Sequence, residues 1–251
     1  MSQIETLAQM IRDSKHTVFF GGAGVSTESG IPDFRSESGL YAAQEAYGYA
    51  PEELISQSLF RRDPGLFFRY YKENLIHINA KPNAAHEALA NLEQNGLMQA
   101  VITQNIDGLH QLAGSQNVLE LHGSNWRQYC LGCHTRYDLA YVLDPANCKD
   151  GIIPICTKCG SMVRPDVVLY EEGLDSAVVQ AAVDAISTAE LLIVGGTSLA
   201  VYPAAGLLEY FKGDKLVLVN KSQTPADRHA KLVIHEAIGE VFGNVMEILV
   251  I

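Results

Sequence analysis

No stretch of this 251-residue chain approaches the ~18 consecutive apolar residues of a membrane-spanning helix, so no transmembrane segment is expected. The opening segment, MSQIETLAQMIRDSK, lacks a basic stretch leading into an apolar one. No export signal is therefore read, and a cytoplasmic location is expected. Positive charge is scarce. Eighteen lysines and arginines stand against 29 acidic residues, a net charge of −11. Such a surface does not, as a whole, attract nucleic acid, although it is compatible with a basic protein or peptide partner. Internal repeats and low-complexity linkers are also missing. The five cysteines are an odd number without an export signal, which argues against a disulfide framework and for thiols or metal ligation. What remains is 47% apolar and 19% charged, the profile of a soluble globular chain long enough for one sizeable core.

Four short apolar runs end in glycine, threonine, asparagine or serine: HTVFFGGAG, QAVITQNIDG, ELLIVGGTS and KLVLVNKS. Helical patterns separate them. KPNAAHEALANLEQNG places Pro82 near a helix start and Asn95-Gly96 at its end; SAVVQAAVDAIST and PAAGLLEYFKG also read as helical. At the N-terminus, Ile4, Leu7, Ala8 and Ile11 recur at helical spacing. Alternating strands and helices predict an α/β fold with a mostly parallel sheet covered on both faces, whose ligands bind at the carboxyl ends of the strands. The polar clusters of this chain fall at those ends. Residues 31–74 read as a loop followed by short helices.

The segment from Trp126 to Met162 breaks the alternation and holds every cysteine. CLGC and CTKC pair Cys130 with Cys133 and Cys156 with Cys159, with 22 residues between the pairs. Each C-x2-C turn aims two thiolates at one tetrahedral ion, and zinc is the expected ion. Four thiolates close the coordination shell, so the metal is expected to be structural. Unligated or redox thiols are the alternative. Cys148 lacks a C-x2-C partner and reads as an unligated thiol.

In FFGGAGVSTESGIPDFR the glycines Gly22 and Gly24 follow an apolar strand, yet Thr27 stands where the dinucleotide fingerprint places its third glycine. The turn lets backbone approach a phosphate; alone, it is equally compatible with a purely structural turn. Its continuation brings Asp33, Phe34 and Arg35 together. Arg35 suits a diphosphate and Phe34 could cover a reactive ring face. TQNIDG then offers Gln104, Asn105 and Asp107 on a strand-end loop. ELHGS offers His122 beside a glycine, and a histidine is the usual general base near neutral pH. His86 and His110 lie in helical patterns, and His134 sits by the zinc turns.

These motifs, together with RPDVVLYEE, GTSLAVYPAAGL and VNKS, occur in an order that resembles the sirtuins, NAD-dependent protein deacylases, and in particular those of bacterial type. The resemblance covers essentially the whole chain. It implies a discontinuous Rossmann-like domain (1–30, 75–125 and 163–251), a cofactor loop and helical module (31–74) and a zinc-binding module (126–162). NAD, consumed as a co-substrate, and an acetyl-lysine peptide would meet in the cleft between them. The activity implied is removal of acetyl groups from protein lysines, with release of nicotinamide and O-acetyl-ADP-ribose. In the roles implied, His122 is the general base that activates a ribose hydroxyl. Asn105 holds the ribose and a water molecule. Asp107, with the Ile106 backbone, binds the nicotinamide carboxamide. Gln104 meets a ribose hydroxyl, and Phe34 shields the reactive carbon. Arg35 with the Ala23 turn holds the diphosphate, and Gly24, Thr27 and Asp33 are further cofactor contacts. Gly196, Thr197, Ser198, Asn220, Lys221 and Ile238 match the remaining cofactor contacts. The peptide would pair with the extended run at Val167, Val168 and Tyr170, although a plain internal strand is the other reading of that run.

Two departures stand out. Sirtuins that remove acidic acyl groups carry Tyr-x-x-Arg, but here Tyr70 is followed by Glu73 and Tyr71 by Asn74. A neutral acyl group is therefore expected. After His122-Gly123-Ser124 the chain continues with Asn125 and Trp126, an unusual pair at this point. Among the alternatives, an NAD oxidoreductase is disfavoured by the missing glycine and by the lack of an acidic residue ending the second strand. A zinc-ribbon nucleic-acid binder is disfavoured by the acidic balance. Mono-ADP-ribosyl transfer begins with the same bond cleavage and stays open.

Overall fold

The computed structural model describes residues 1–33 and 43–250; Phe34 and Arg35 lie outside the described residues. The described strands are β1 Thr17–Gly21, β2 Ala100–Thr103, β3 Val118–Glu120, β4 Gly123–Cys130, β5 Arg136–Asp138, β6 Cys148–Lys149, β7 Ile153–Pro154, β8 Val163–Val167, β9 Leu191–Gly195, β10 Lys215–Val219 and β11 Leu232–Ile234. Six form one sheet in the order β11-β10-β9-β1-β2-β3, and every pairing is parallel. With β9, β10 and β11 counted as the fourth to sixth strands of that sheet, this is the doubly wound order, which reverses direction between β1 and β9.

Strand residues alternate between two cores. Phe19, Val101, Leu191, Ile193 and Val217 face a cluster with Leu7, Ile11, Leu89, Val241 and Phe242. Val18, Phe20, Ile102, Leu192 and Leu218 face a second one with Ala182, Ile186 and Leu207. Burial on both faces is why these strands are continuous apolar runs rather than alternating ones. The helices that cover them have identifiable starts. Ser2 caps Gln3–Asp13 in a capping box with Glu5. Asn83 caps Ala84–Gln94, and Asp175 caps Ser176–Thr188. Helix Ile238–Leu249 has no side-chain cap of its own; instead Glu28 accepts the Gly239 N–H at 2.7 Å, a carboxylate at the positive end of the helix dipole. One expectation is corrected: PAAGLLEYFKG yields a 3-10 helix over Ala204–Tyr210 rather than an α-helix. Gly206, in the middle of the segment, weakens the α form.

Register brings the strand ends level. Gly21 aligns with Thr103 and with Gly195, Gly195 with Val219, and Thr103 with Glu120. The residues that follow (Gly22, Gln104, Gly196, Asn220 and Leu121) therefore emerge along one edge, with His122 one step beyond.

Beside this edge sits a smaller three-stranded antiparallel sheet, β5-β4-β8, with β8 at its margin. Its β4–β8 pairing runs from Gly123–Val167 to Cys130–Val163, bracketing the cysteine segment. Short helices at Pro51–Leu54, Gln57–Arg62 and Pro64–Tyr70 pack against it, the last ending in a π-turn over Tyr71–Leu75. Phe60, Phe67, Phe68 and Tyr71 of these helices share one core with Cys130, Cys156, Val163 and Leu169. Among the described residues no helix is long and apolar enough to cross a membrane.

Candidate active site and metal centre

A cavity of about 580 Å³ opens where the strand ends of the large sheet face the small one. Ala23, Gln104, Asn105, Ile106, Asp107 and His122 line it from one side, and Phe67, Tyr71, Val167, Val168, Leu169 and Tyr170 from the other.

The loops on the large-sheet side are built by backbone contacts that need glycine. Gly24 donates its N–H to the Gly196 carbonyl at 2.8 Å. A methyl group on Gly24 would lie 2.8 Å from the Gly196 Cα, and Gly196 itself has φ +58°. These glycines let the turn after β1 touch the turn after β9 at the switch point. Asn83 secures the same turn, donating to the Val25 carbonyl at 2.8 Å.

The polar groups form a connected network. The Asn105 side chain donates to the Ser26 hydroxyl at 3.0 Å, and that hydroxyl donates to the Asp107 carboxylate at 2.7 Å. The other Asp107 oxygen accepts the Leu109 N–H at 2.9 Å. Gln104 donates to the Thr197 hydroxyl at 3.1 Å and so bridges the ends of β2 and β9. His122 places Nδ1 2.8 Å from the Gln104 carbonyl. A carbonyl only accepts, so Nδ1 carries the proton and Nε2 is the basic nitrogen. An imidazole, a carboxylate and an amide thus share one concave site with orientations set by backbone, an arrangement suited to acid–base chemistry on a positioned ligand.

A model of the Sir2 family matches residues 22–203. The chain belongs to the Sir2 family. A curated protein of Clostridium perfringens named NAD-dependent protein deacetylase is 56% identical over 246 residues, 98% of this chain and 99% of its own. Two solved structures, "Sir2-p53 peptide-NAD+" and "Sir2 bound to acetylated peptide", superpose with TM-scores of 0.87 and 0.86 at 40% and 39% identity, covering 98% of both chains in each case.

In this Sir2 protein the remaining residues singled out from sequence distribute as follows. Thr197 is buried and accepts the Leu199 N–H at 3.2 Å, while Ser198 and Lys221 are exposed. Asn220 follows β10, and Ile238 packs against Gly195 at the start of the last helix. Gly24, Thr27, Asp33, Gly196, Thr197, Ser198, Asn220, Lys221 and Ile238 do not line the 580 Å³ cavity; most of them extend the same strand-end edge towards β10. Val168 donates to the His122 carbonyl at 2.9 Å, and Tyr170 pairs with Ile55 and Gln57, so the Val167–Tyr170 run is held between the two sheets and the helical module. Ser26 was not singled out by sequence reasoning. Its signal was a small polar residue inside the glycine turn, but its two partners lie about 80 positions away.

The four paired cysteines come together, their sulfurs all within 4.8 Å of one another. Cys130 and Cys159 sulfurs are 3.4 Å apart, and those of Cys133 and Cys156 3.6 Å. Sulfurs held ~2.3 Å from a tetrahedral zinc stand roughly 3.8 Å apart, so the set fits that ion. N–H groups of Gly132, Cys133 and Lys158 point at the sulfurs and would stabilise thiolates. Cys148 stands outside this set, with the Lys72 ammonium 3.4 Å from its sulfur.

Proposed function

We propose that this protein removes acetyl groups from lysine side chains of other proteins and consumes NAD in doing so, releasing nicotinamide and O-acetyl-ADP-ribose. The observation that carries the reading is the Asn105–Ser26–Asp107 network and His122 in one cavity, at the switch point of a Sir2-family fold matched along its whole length by a protein named for this activity. When bound, NAD supplies a ribose carbon from which nicotinamide departs as the acyl oxygen attacks. Asn105 orients the ribose side, and Asp107 with the Ile106 backbone holds the carboxamide. His122, through Nε2, takes a proton from a ribose hydroxyl. Val167, Val168 and Tyr170 line the cavity wall on which the peptide would lie, beside β8 at the margin of its sheet. Phe34 and Arg35 retain their proposed shielding and diphosphate roles. The four cysteines hold a structural zinc. The protein works in the cytoplasm and does not bind nucleic acid directly.

The acyl group is neutral. Among the described residues lining the cavity there is no lysine or arginine, whereas Asp107, Glu171 and Glu172 are present. Lys72 points instead at Cys148. A buried succinyl carboxylate would be unpaired here and would cost several kcal/mol.

Mass spectrometry of NAD incubated with an acetyl-lysine peptide tests the proposal. O-acetyl-ADP-ribose and free nicotinamide should appear, and the same peptide carrying succinyl-lysine should react more slowly. Formation of NADH, ADP-ribose attached to protein as the main product, or faster turnover of the succinyl peptide would overturn it.

A further inference from the structure

The unusual Asn125-Trp126 pair lies in the first half of β4, three and four residues after His122, and the reaction as described uses neither residue. Both grip the loop after β2. The backbone N–H of Asn125 donates to the Ile106 carbonyl at 2.9 Å. The indole Nε1–H of Trp126 donates to the Asp107 carbonyl at 2.7 Å. Consecutive carbonyls of the loop are thus held from one strand. The indole also covers Gly108: a methyl group there would lie 2.5 Å from Nε1 and 2.6 Å from Cδ1, and Gly108 has φ +75°. Asn125 further ties this strand start to the helical module, donating from its side chain to the Leu75 carbonyl at 2.6 Å. Trp126 is 49% exposed, so filling the core does not account for it. Its best-defined contact is the directed N–H.

We propose that Trp126 is a positioning residue for the nicotinamide end of the site: its indole N–H fixes the peptide plane between Asp107 and Gly108 and so aims the Ile106-Asp107 pair. The inference rests on the reading of the site given above. Glycine explores both signs of φ, so the plane before Gly108 has more freedom to turn than one before a residue with a Cβ. The helix that follows holds the Gly108 carbonyl, through the Leu112 N–H at 3.0 Å, and the Asp107 carboxylate, through the Leu109 N–H; the Trp126 hydrogen bond to the Asp107 carbonyl and the ring over the Gly108 Cα restrain the plane from the opposite side. Groups that recognise a planar carboxamide must be held within about 0.5 Å, and a free peptide plane would not hold them.

The chain contains a single tryptophan, so replacing tryptophan biosynthetically alters this residue alone. The benzothiophene analogue keeps the ring shape but puts sulfur in place of N–H; the 7-aza analogue keeps the N–H. With the benzothiophene protein and with Trp126→Phe, KM for NAD and the inhibition constant of nicotinamide should both rise about 3- to 10-fold, the size expected of one neutral hydrogen bond. KM for the acetyl-lysine peptide and the melting temperature should stay at wild-type values, and the 7-aza protein should behave as wild type. Unchanged NAD and nicotinamide constants in the benzothiophene protein overturn the assignment. So does a uniform loss in both substrates accompanied by a lower melting temperature. A wild-type protein that releases no nicotinamide from NAD and the peptide would instead overturn the reading of the site itself, and this assignment with it.

Discussion

His122 owes its proposed role to one backbone contact. Its Nδ1 faces the carbonyl of Gln104, which can only accept, and this leaves Nε2 as the base. Replacing it with alanine removes the proposed base without touching the strand ends proposed to hold NAD. His122→Ala should therefore lose two or more orders of magnitude in deacetylation, the usual weight of a positioned acid–base group, while NAD affinity measured by calorimetry changes little. Ser26→Ala makes a useful contrast. The Ser26 hydroxyl holds both Asn105 and the Asp107 carboxylate. Its loss should lower turnover roughly 10- to 100-fold, in line with ~1.5–3 kcal/mol for a buried hydrogen bond to a charged group. Turnover of His122→Ala at the wild-type rate would move the base to another residue. An unaffected Ser26→Ala would mean the network is ornamental to catalysis.

The zinc module influences the cavity through packing rather than through chemistry. Cys130 and Cys156 share a core with Phe67, Tyr71, Val167 and Leu169, and those four side chains also form the cavity wall. Two small sheets and short helices bury only a small core, so the metal's binding energy should act as folding energy for the module. Elemental analysis should find about one zinc per chain. Cys130→Ala, or strong chelation, should lower the melting temperature together with activity, by about 2–4 °C for each kcal/mol lost in a chain of this size. A metal-free protein with wild-type melting and turnover would contradict the structural assignment.

Acid sensitivity belongs to the molecule as a whole. His86 and His110 are 0% and 1% exposed, their rings 4.7 Å apart beneath the turn that carries Asp107. His86 Nε2 and both His110 ring nitrogens lack hydrogen-bond partners among the described residues. Burial holds both imidazoles neutral, lowering His86 to about 4, against a smaller opposing pull from Asp107, and His110 to about 3. The unfolded chain takes up these protons near pH 6.5 and the folded one does not. Stability is therefore fully present above pH 6.5 and falls as the pH drops towards 4, by about 1.4 kcal/mol per pH unit for each histidine. The gap between urea midpoints measured at pH 7.5 and 5.5 should narrow, but not close, in His110→Phe, whose ring replaces the imidazole beside Phe19 while His86 keeps its own share. Equal pH slopes in wild type and variant would show that His110 is not held neutral in the fold.

The metal ligands, the strand-end clusters and the fold class were legible in the chain itself because each is a local pattern. A C-x2-C turn, an apolar run ending in glycine and a capped helix are all settled within a few residues. The resemblance then joined them into one site. The placement of neighbours across the chain was not legible. Ser26 meets Asp107 from 81 residues away and Trp126 meets Asp107 from 19, and no periodicity marks either pairing. The glycine turn after β1 reads as a phosphate cradle from sequence; its close contact with the Gly196 turn was not legible, because it arises only where β1 and β9 lie side by side and bring backbone against backbone. Likewise, the zinc module and the helices around Phe67 read as separate insertions and became one core only in three dimensions. Local propensity selects the elements; long-range burial of their apolar faces selects which of them touch, and the cavity forms where those contacts leave the strand ends open.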